Sequence, residues 1–173
     1  MSRQLVHSGR KFQVWVETTQ AADGSVITRD LVIHPGAVAI LPLVDAEHVC
    51  LVRNYRATIG DTLVEIPAGT LETGEDPDRA AQRELAEETG YRAARWGKLG
   101  VFYPSPGVLS EQMHLYVASE LTTGPMHLEK DEQLEPQVVP WSQLVKWAHD
   151  GTICDAKTLV AVLWWLSART LRA

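Results

Sequence analysis

The sequence predicts a mixed α/β domain, and three observations predict it. Alternating or continuous apolar segments fill the first third of the chain, one helical segment spans about 77–89, and two more helical segments close it. At 173 residues, one domain with a sizeable core is expected over 1–173.

The elements follow in order. Lys11 to Thr19 alternates, with Phe12, Val14 and Val16 on one side and Gln13, Trp15 and Glu17 on the other, the period of a strand. Ala21-Ala22-Asp23-Gly24 supplies a tight turn and Ser25 to Ile33 returns as a second strand, so residues 1–34 form an N-terminal hairpin. Trp15 is either ordinary cross-strand packing or an aromatic open to a partner. Gly36 to Val44 is nearly continuous apolar, as in a strand buried on both faces. His48 to Arg53 is the next strand, and Arg53-Asn54-Tyr55-Arg56 at its end is either a solvated edge or a guanidinium clamp for a diphosphate. Leu63 to Gly69 is a short strand. Asp76 is placed to cap the central helix, Pro77 suits its first position and Gly90 stops it. Arg92 to Tyr103 and Glu111 to Ala118 add strands, the second with Met113, Leu115 and Val117 inward. Leu121 to Gln137 is polar, acidic and proline-bounded and reads as a mobile loop, followed by a short strand at Val138-Val139. Trp141 to His149 is a helix stopped by Gly151, and Asp155 caps a last helix running to about Leu171.

Composition excludes several classes. The net charge is −6 with no basic run, which argues against a nucleic-acid partner. No apolar run approaches the length of a membrane span, and Met1 to Phe12 lacks a signal core. Cys50 and Cys154 have no metal or redox spacing, which suggests a reducing, cytoplasmic setting.

The chemistry concentrates in Gly69 to Tyr91. On a helix, Glu84, Glu87 and Glu88 fall at i, i+3 and i+4 and share one face. Carboxylates that close repel one another; either the face is simply solvated or a hard cation such as Mg²⁺ or Mn²⁺ offsets them. Arg83 lies four residues before Glu87 and partly balances the acids. A carboxylate-bound cation near arginines suits chemistry on a diphosphate. A general base must then come from outside the metal cluster, and the acidic stretch Glu129 to Glu135 is the natural source, unless it is only a solvated loop.

Gly69, Glu75, Arg83, Glu84, Leu85, Glu87, Glu88, Gly90 and Tyr91 together resemble the signature of the Nudix hydrolases; Tyr91 stands where an aliphatic residue is more usual. The resemblance implies the family's α/β/α sandwich with a mixed sheet and an N-terminal β-hairpin extension. Beyond this box the chain is similar to the branch that hydrolyses ADP-ribose and other nucleoside diphosphate sugars, through Ile66-Pro67-Ala68-Gly69, Ser105-Pro106-Gly107 with Ser110-Glu111, Lys130 to Glu135, and Asp155-Ala156-Lys157-Thr158. It implies Mg²⁺ or Mn²⁺ on Glu84, Glu87, Glu88 and the Ala68 carbonyl. Arg56 would contact the diphosphate, Arg29 the adenine or phosphate side, and Glu111 the terminal sugar. Glu132 would be the base, with Glu129 the alternate, because Lys130 and Pro136 depart from the usual loop. Glu87 and Arg83 join Glu132 as the residues of catalysis. A homodimer is implied, its N-terminal hairpin reaching the partner's pocket, where Trp15 could stack on the base. The expected reaction is Mg²⁺-dependent cleavage of ADP-ribose to AMP and ribose 5-phosphate. The alternatives are another nucleoside diphosphate sugar such as GDP-mannose, and a sensor that binds such a ligand without turnover.

Overall fold

A computed structural model of the chain describes residues 1–128 and 133–170. The N-terminal segment forms β1 (Ser2–Ser8), β2 (Gln13–Gln20) and β3 (Val26–Ile33), an antiparallel sheet of order β1-β2-β3. The expected hairpin is β2–β3. Its turn is built by Asp23, whose Oδ1 accepts from the Ser25 N–H at 2.9 Å and the Ser25 hydroxyl at 2.7 Å, and by Gly24 at φ 84. The third strand is an addition to the sequence reading. Every residue of β1 is exposed, so it has no apolar face to betray it; backbone pairing to β2 and an Arg3–Glu17 ion pair at 2.8 Å define it. The sheet is fastened to the body by Val32, which donates to Val108 O and accepts from Ser110 N–H, both at 2.9 Å.

The body follows as β4 (Ala37–Pro42), β5 (His48–Arg56), β6 (Asp61–Glu65), β7 (Ala68–Thr70), α1 (Pro77–Thr89), β8 (Tyr91–Phe102), β9 (Met113–Thr123), β10 (Leu134–Pro140), α2 (Trp141–Asp150) and α3 (Ala156–Thr170). One sheet has the order β7-β4-β9-β8 and is mixed, since β4 and β9 run parallel while their other neighbours are antiparallel. A second, antiparallel sheet has the order β10-β5-β6.

All six residues of β4 are buried, which is why its sequence does not alternate. Ala37, Ala39 and Leu41 face a core shared with Leu51, Ile66, Leu115, Leu144 and Ala161, on the side of α2 and α3. Val38 and Ile40 face the other way, against Ala80, Ala81 and Leu85 of α1. Two helical layers thus enclose the sheets, the α/β/α sandwich expected. Each large aliphatic side chain fully buried here stabilises the fold by roughly 1.5–3 kcal/mol relative to exposure.

The helix ends follow local chemistry. Asp76 Oδ1 accepts from the Asp78 N–H at 2.9 Å, and Gly90 closes α1 at φ 71 with its N–H on Ala86 O. A β-carbon at Gly90 would lie 2.6 Å from Gly124 O, so glycine is required twice over. At α3, Trp164 lies over Gly100 of β8, where a β-carbon would come within 2.4 Å of the indole. The same ring meets Phe102 edge-on, centroids 5.9 Å apart.

The expected loop over 121–137 is shorter in the structure. Leu121–Thr123 continue β9, Gly124 and His127 bond back to Gly90 O and Glu87 O, and Leu134–Gln137 already belong to β10. Pro136 sits within β10 opposite Val52. It is tolerated because β10 is an edge strand, where a missing N–H leaves no neighbour unpaired. Among the described residues no helix is long and apolar enough to cross a membrane.

Candidate active site

Glu84 and Glu87 of α1 meet one cation of their own helix. Arg83 donates through Nε and Nη2 to the two oxygens of Glu75, both at 2.9 Å, and through Nη1 to Glu84 Oε1 at 2.7 Å and Glu87 Oε2 at 3.0 Å. The loop before α1 brings Glu75 back over the helix, and its Oε2 also accepts from the Glu72 N–H. This explains the fixed spacing of Glu75, Arg83, Glu84 and Glu87: one planar guanidinium serves three carboxylates. The bidentate bond from Arg83 holds the Glu75 carboxyl below its ordinary range, and the Glu75 bond leads the causes that raise Arg83.

Next to this face runs β7. Ile40 N–H donates to Pro67 O and Leu71 N–H to Gly36 O, so the alternation of an antiparallel pair turns the N–H and C=O of Ala68 away from β4. The Ala68 N–H meets Glu88 Oε2 at 2.9 Å, and the Ala68 carbonyl opens on the same side. Gly69 lies against Glu84: a β-carbon there would fall 1.9 Å from the carboxylate carbon. Glu84 and Glu88 are buried, at 7% and 3% exposure, whereas Glu87 stands at the surface of the cluster.

A cleft of about 570 Å³ opens beside these residues. Ala68, Gly69, Arg83, Glu84 and Glu88 form one wall; Arg56, Glu65, Asp155 and Lys157 form another; Glu111 and Pro104 also line it. The second wall contains an ionic group that sequence reading did not assemble. Arg56 grips Glu65 through Nε, at 2.8 Å, and Nη2. Lys157 bonds Glu65 as well as Asp155, the latter at 2.9 Å. Burial pushes the Glu65 carboxyl upward, but the bonds and charges of Arg56 and Lys157 outweigh it and hold the group net below its ordinary value. The Glu65 hydrogen bond in turn leads the causes that raise Arg56. Glu65 had a signal in the sequence: one acid inside the apolar run Leu63–Ile66 has to find a cation.

The other residues singled out in the sequence separate. Glu111 lies 3.7 Å from His34 Nδ1, at the cleft. Trp15 and Arg29 belong to the N-terminal sheet and do not line the cleft of their own chain; Trp15 Nε1 bonds Gln13 Oε1 at 3.0 Å and Arg29 Nη1 bonds Thr19 Oγ1 at 3.2 Å. Lys11, just before β2, does line it and was not anticipated. Glu132 and Glu129 lie outside the described residues.

The donor set suits a hard divalent cation: carboxylates, a backbone carbonyl turned toward them, and a glycine leaving room beside Glu84. Among the described residues no three acidic, His or Cys groups stand as a ready-made cation site. Arg83 accounts for this, since it holds Glu84 and Glu87 on its own guanidinium.

This fold and this acidic helix define a class. A model of the NUDIX domain matches residues 33–160, and the chain belongs to the Nudix hydrolase family. It is 37% identical over 164 residues to the ADP-ribose pyrophosphatase of Bacillus subtilis (strain 168), covering 94% of this chain and 89% of that protein. It is 36% identical over 161 residues to the methanol dehydrogenase activator of Bacillus methanolicus, covering 92% and 87%. Against the GDP-mannose pyrophosphatase of Klebsiella pneumoniae the identity is 31% over 152 residues, covering 80% and 76%. A solved structure of an ADP compounds hydrolase matches with a TM-score of 0.85 at 24% identity, over 98% of this chain and 94% of that one, a likeness of fold.

Proposed function

We propose that the protein is a Mg²⁺-dependent hydrolase that cleaves the diphosphate of ADP-ribose to AMP and ribose 5-phosphate. The observation that carries this reading is the 37% identity to an ADP-ribose pyrophosphatase along nearly the whole of both chains. Glu84, Glu87, Glu88 and the Ala68 carbonyl would hold Mg²⁺ or Mn²⁺, which when bound polarises phosphoryl oxygens and acidifies water. Arg83 keeps Glu84 and Glu87 side by side ahead of binding, and the two carboxylates would turn from its guanidinium to take the cation. Arg56 offers N–H groups to the diphosphate from the facing wall, and Glu111 accepts hydroxyls of the terminal sugar. Glu132, or Glu129, takes the proton from the attacking water. The protein works as a homodimer, the partner's N-terminal sheet bringing Trp15 and Arg29 to the nucleotide. A cytoplasmic location fits its two free cysteines.

A second substrate is favoured by one specific observation, the 31% identity to a GDP-mannose pyrophosphatase. It keeps the site and changes the sugar and base. Phosphatase-coupled release from ADP-ribose, GDP-mannose, ADP-glucose and UDP-glucose with Mg²⁺ tests both. Strong preference for ADP-ribose is expected; preference for GDP-mannose moves the protein to the second reading. Glu87→Gln should keep nucleotide binding and lose at least about a hundredfold in metal-dependent rate. Tight binding with no turnover by the wild type would instead make it a sensor.

A further inference from the structure

Glu65 has no part in the mechanism above, yet it is the most deeply buried charged side chain among the described residues, 1% exposed at the end of β6. A carboxylate so far from water stays ionised only with strong partners. It has two, and they are used differently. Arg56 gives Glu65 its Nε–H and one N–H of Nη2. A guanidinium carries five N–H groups, so three lie outside this bond, and the end-on edge, formed by one N–H of Nη1 and the other of Nη2, has no partner among the described residues. That edge matches a pair of phosphate oxygens, and the Arg56 side chain is 38% exposed on the cleft wall.

Lys157 is enclosed instead, its side chain 9% exposed. It joins Glu65 to Asp155, and Asp155 Oδ2 accepts from the N–H and hydroxyl of Thr158 at 3.0 and 2.6 Å. Thr158 Oγ1 accepts from the Ile66 N–H at 2.9 Å, which ties the first turn of α3 back to the residue after Glu65. The carboxylate is therefore gripped from both sides, and the position of Arg56 is set by the fold rather than by rotamer chance.

We infer that Glu65 is a positioning residue for the diphosphate: it holds Arg56 side-on so that the end-on edge of the guanidinium meets the phosphate oxygens, with Lys157 as the counter-charge that keeps Glu65 in place. This rests on the reading of Arg56 as a diphosphate contact. A purely structural strap between β6 and α3 would leave substrate binding untouched once the protein is folded.

The test compares the full-length wild type with Glu65→Gln, Arg56→Ala, their double variant, and the charge-balanced Glu65→Gln/Lys157→Met. Steady-state hydrolysis of ADP-ribose should show KM raised about tenfold in Glu65→Gln with kcat changed by less than about threefold. In the double variant, Glu65→Gln should add nothing to Arg56→Ala, because it acts through that residue. Wild-type KM in Glu65→Gln, or a full further loss on top of Arg56→Ala, overturns the inference. If Glu65→Gln does not fold, the charge-balanced pair carries the comparison: the same rise in KM supports the inference and an unchanged KM overturns it. Calorimetric binding of inorganic pyrophosphate reads the same contact without turnover, and a loss of about tenfold is expected; equal affinity overturns it. A wild type that leaves ADP-ribose intact would remove the substrate reading alone, since the pyrophosphate measurement still reports on Glu65 and Arg56.

Discussion

Arg83 is the residue on which the acidic face of α1 depends. Without it, Glu75, Glu84 and Glu87 would repel across a few ångströms; with it, they share one rigid fork. Gly69 is its steric counterpart, leaving the space that the Glu84 carboxylate fills. The prediction for Gly69→Ala is specific because the atom it would strike ends a flexible side chain. Glu84 can swing aside, so the cost falls on the site rather than on the fold. Activity should drop on the order of a hundredfold, as expected for an ångström-scale displacement of a working group. The thermal midpoint should move by only a few degrees. Calorimetric unfolding beside a rate measurement checks this, and a collapse in stability with the rate per folded molecule intact would contradict it.

Among the elements, α3 has two attachments of different kinds. Its first turn is held by the polar group of Asp155, Lys157 and Thr158 against β6. Its middle is held by Trp164 packed over Gly100 and against Phe102. Gly100→Ala should push the indole away and destabilise the protein by about 1–3 kcal/mol, the usual cost of overpacking. Adding Trp164→Leu should recover part of that loss, since the two positions are in contact and their effects are not additive. Denaturant titration of the two single variants and the double variant measures the coupling; strict additivity would show that the helix docks elsewhere. The N-terminal sheet invites a test of the same kind. Leu5, Val6 and Phe12 are exposed at 43%, 59% and 43%. If this sheet makes the proposed dimer, removing residues 1–34 should leave a monomer by light scattering and abolish activity; an active monomer would end that reading.

The pH dependence belongs to the whole molecule, because it sums groups on several elements. The carboxyls of Glu65 and Glu75 are held below their ordinary value of 4.5 in the folded state. Their contribution is present above that value and is lost as pH falls through the folded-state pKa. Burial pushes the Cys50 thiol the other way, from 9.0 up to about 12. Its contribution is complete below about pH 9 and is lost as pH rises toward 12. A plateau of stability between these limbs is expected from thermal midpoints measured across pH. Glu65→Gln should shift and flatten the acid limb, and Cys50→Ala the alkaline one; limbs identical to wild type would show that other groups set them.

The amino-acid pattern by itself determined the class of fold, the span and caps of α1, the two-faced burial of β4 and the shared helix of Glu84, Glu87 and Glu88. Those are local properties: periodicity, capping chemistry and fixed spacing on a helix are legible over a dozen residues. Tertiary structure alone decided the rest. β1 has no buried face and exists only through its pairing with β2. Pro136 is acceptable in a strand only because β10 lies at an edge. Glu65 meets Lys157 across 92 residues of sequence, and Arg56 joins them from the neighbouring strand. No local pattern encodes such a meeting; burial of a charge says that a partner must exist, and only the packing of β5, β6 and α3 says which one.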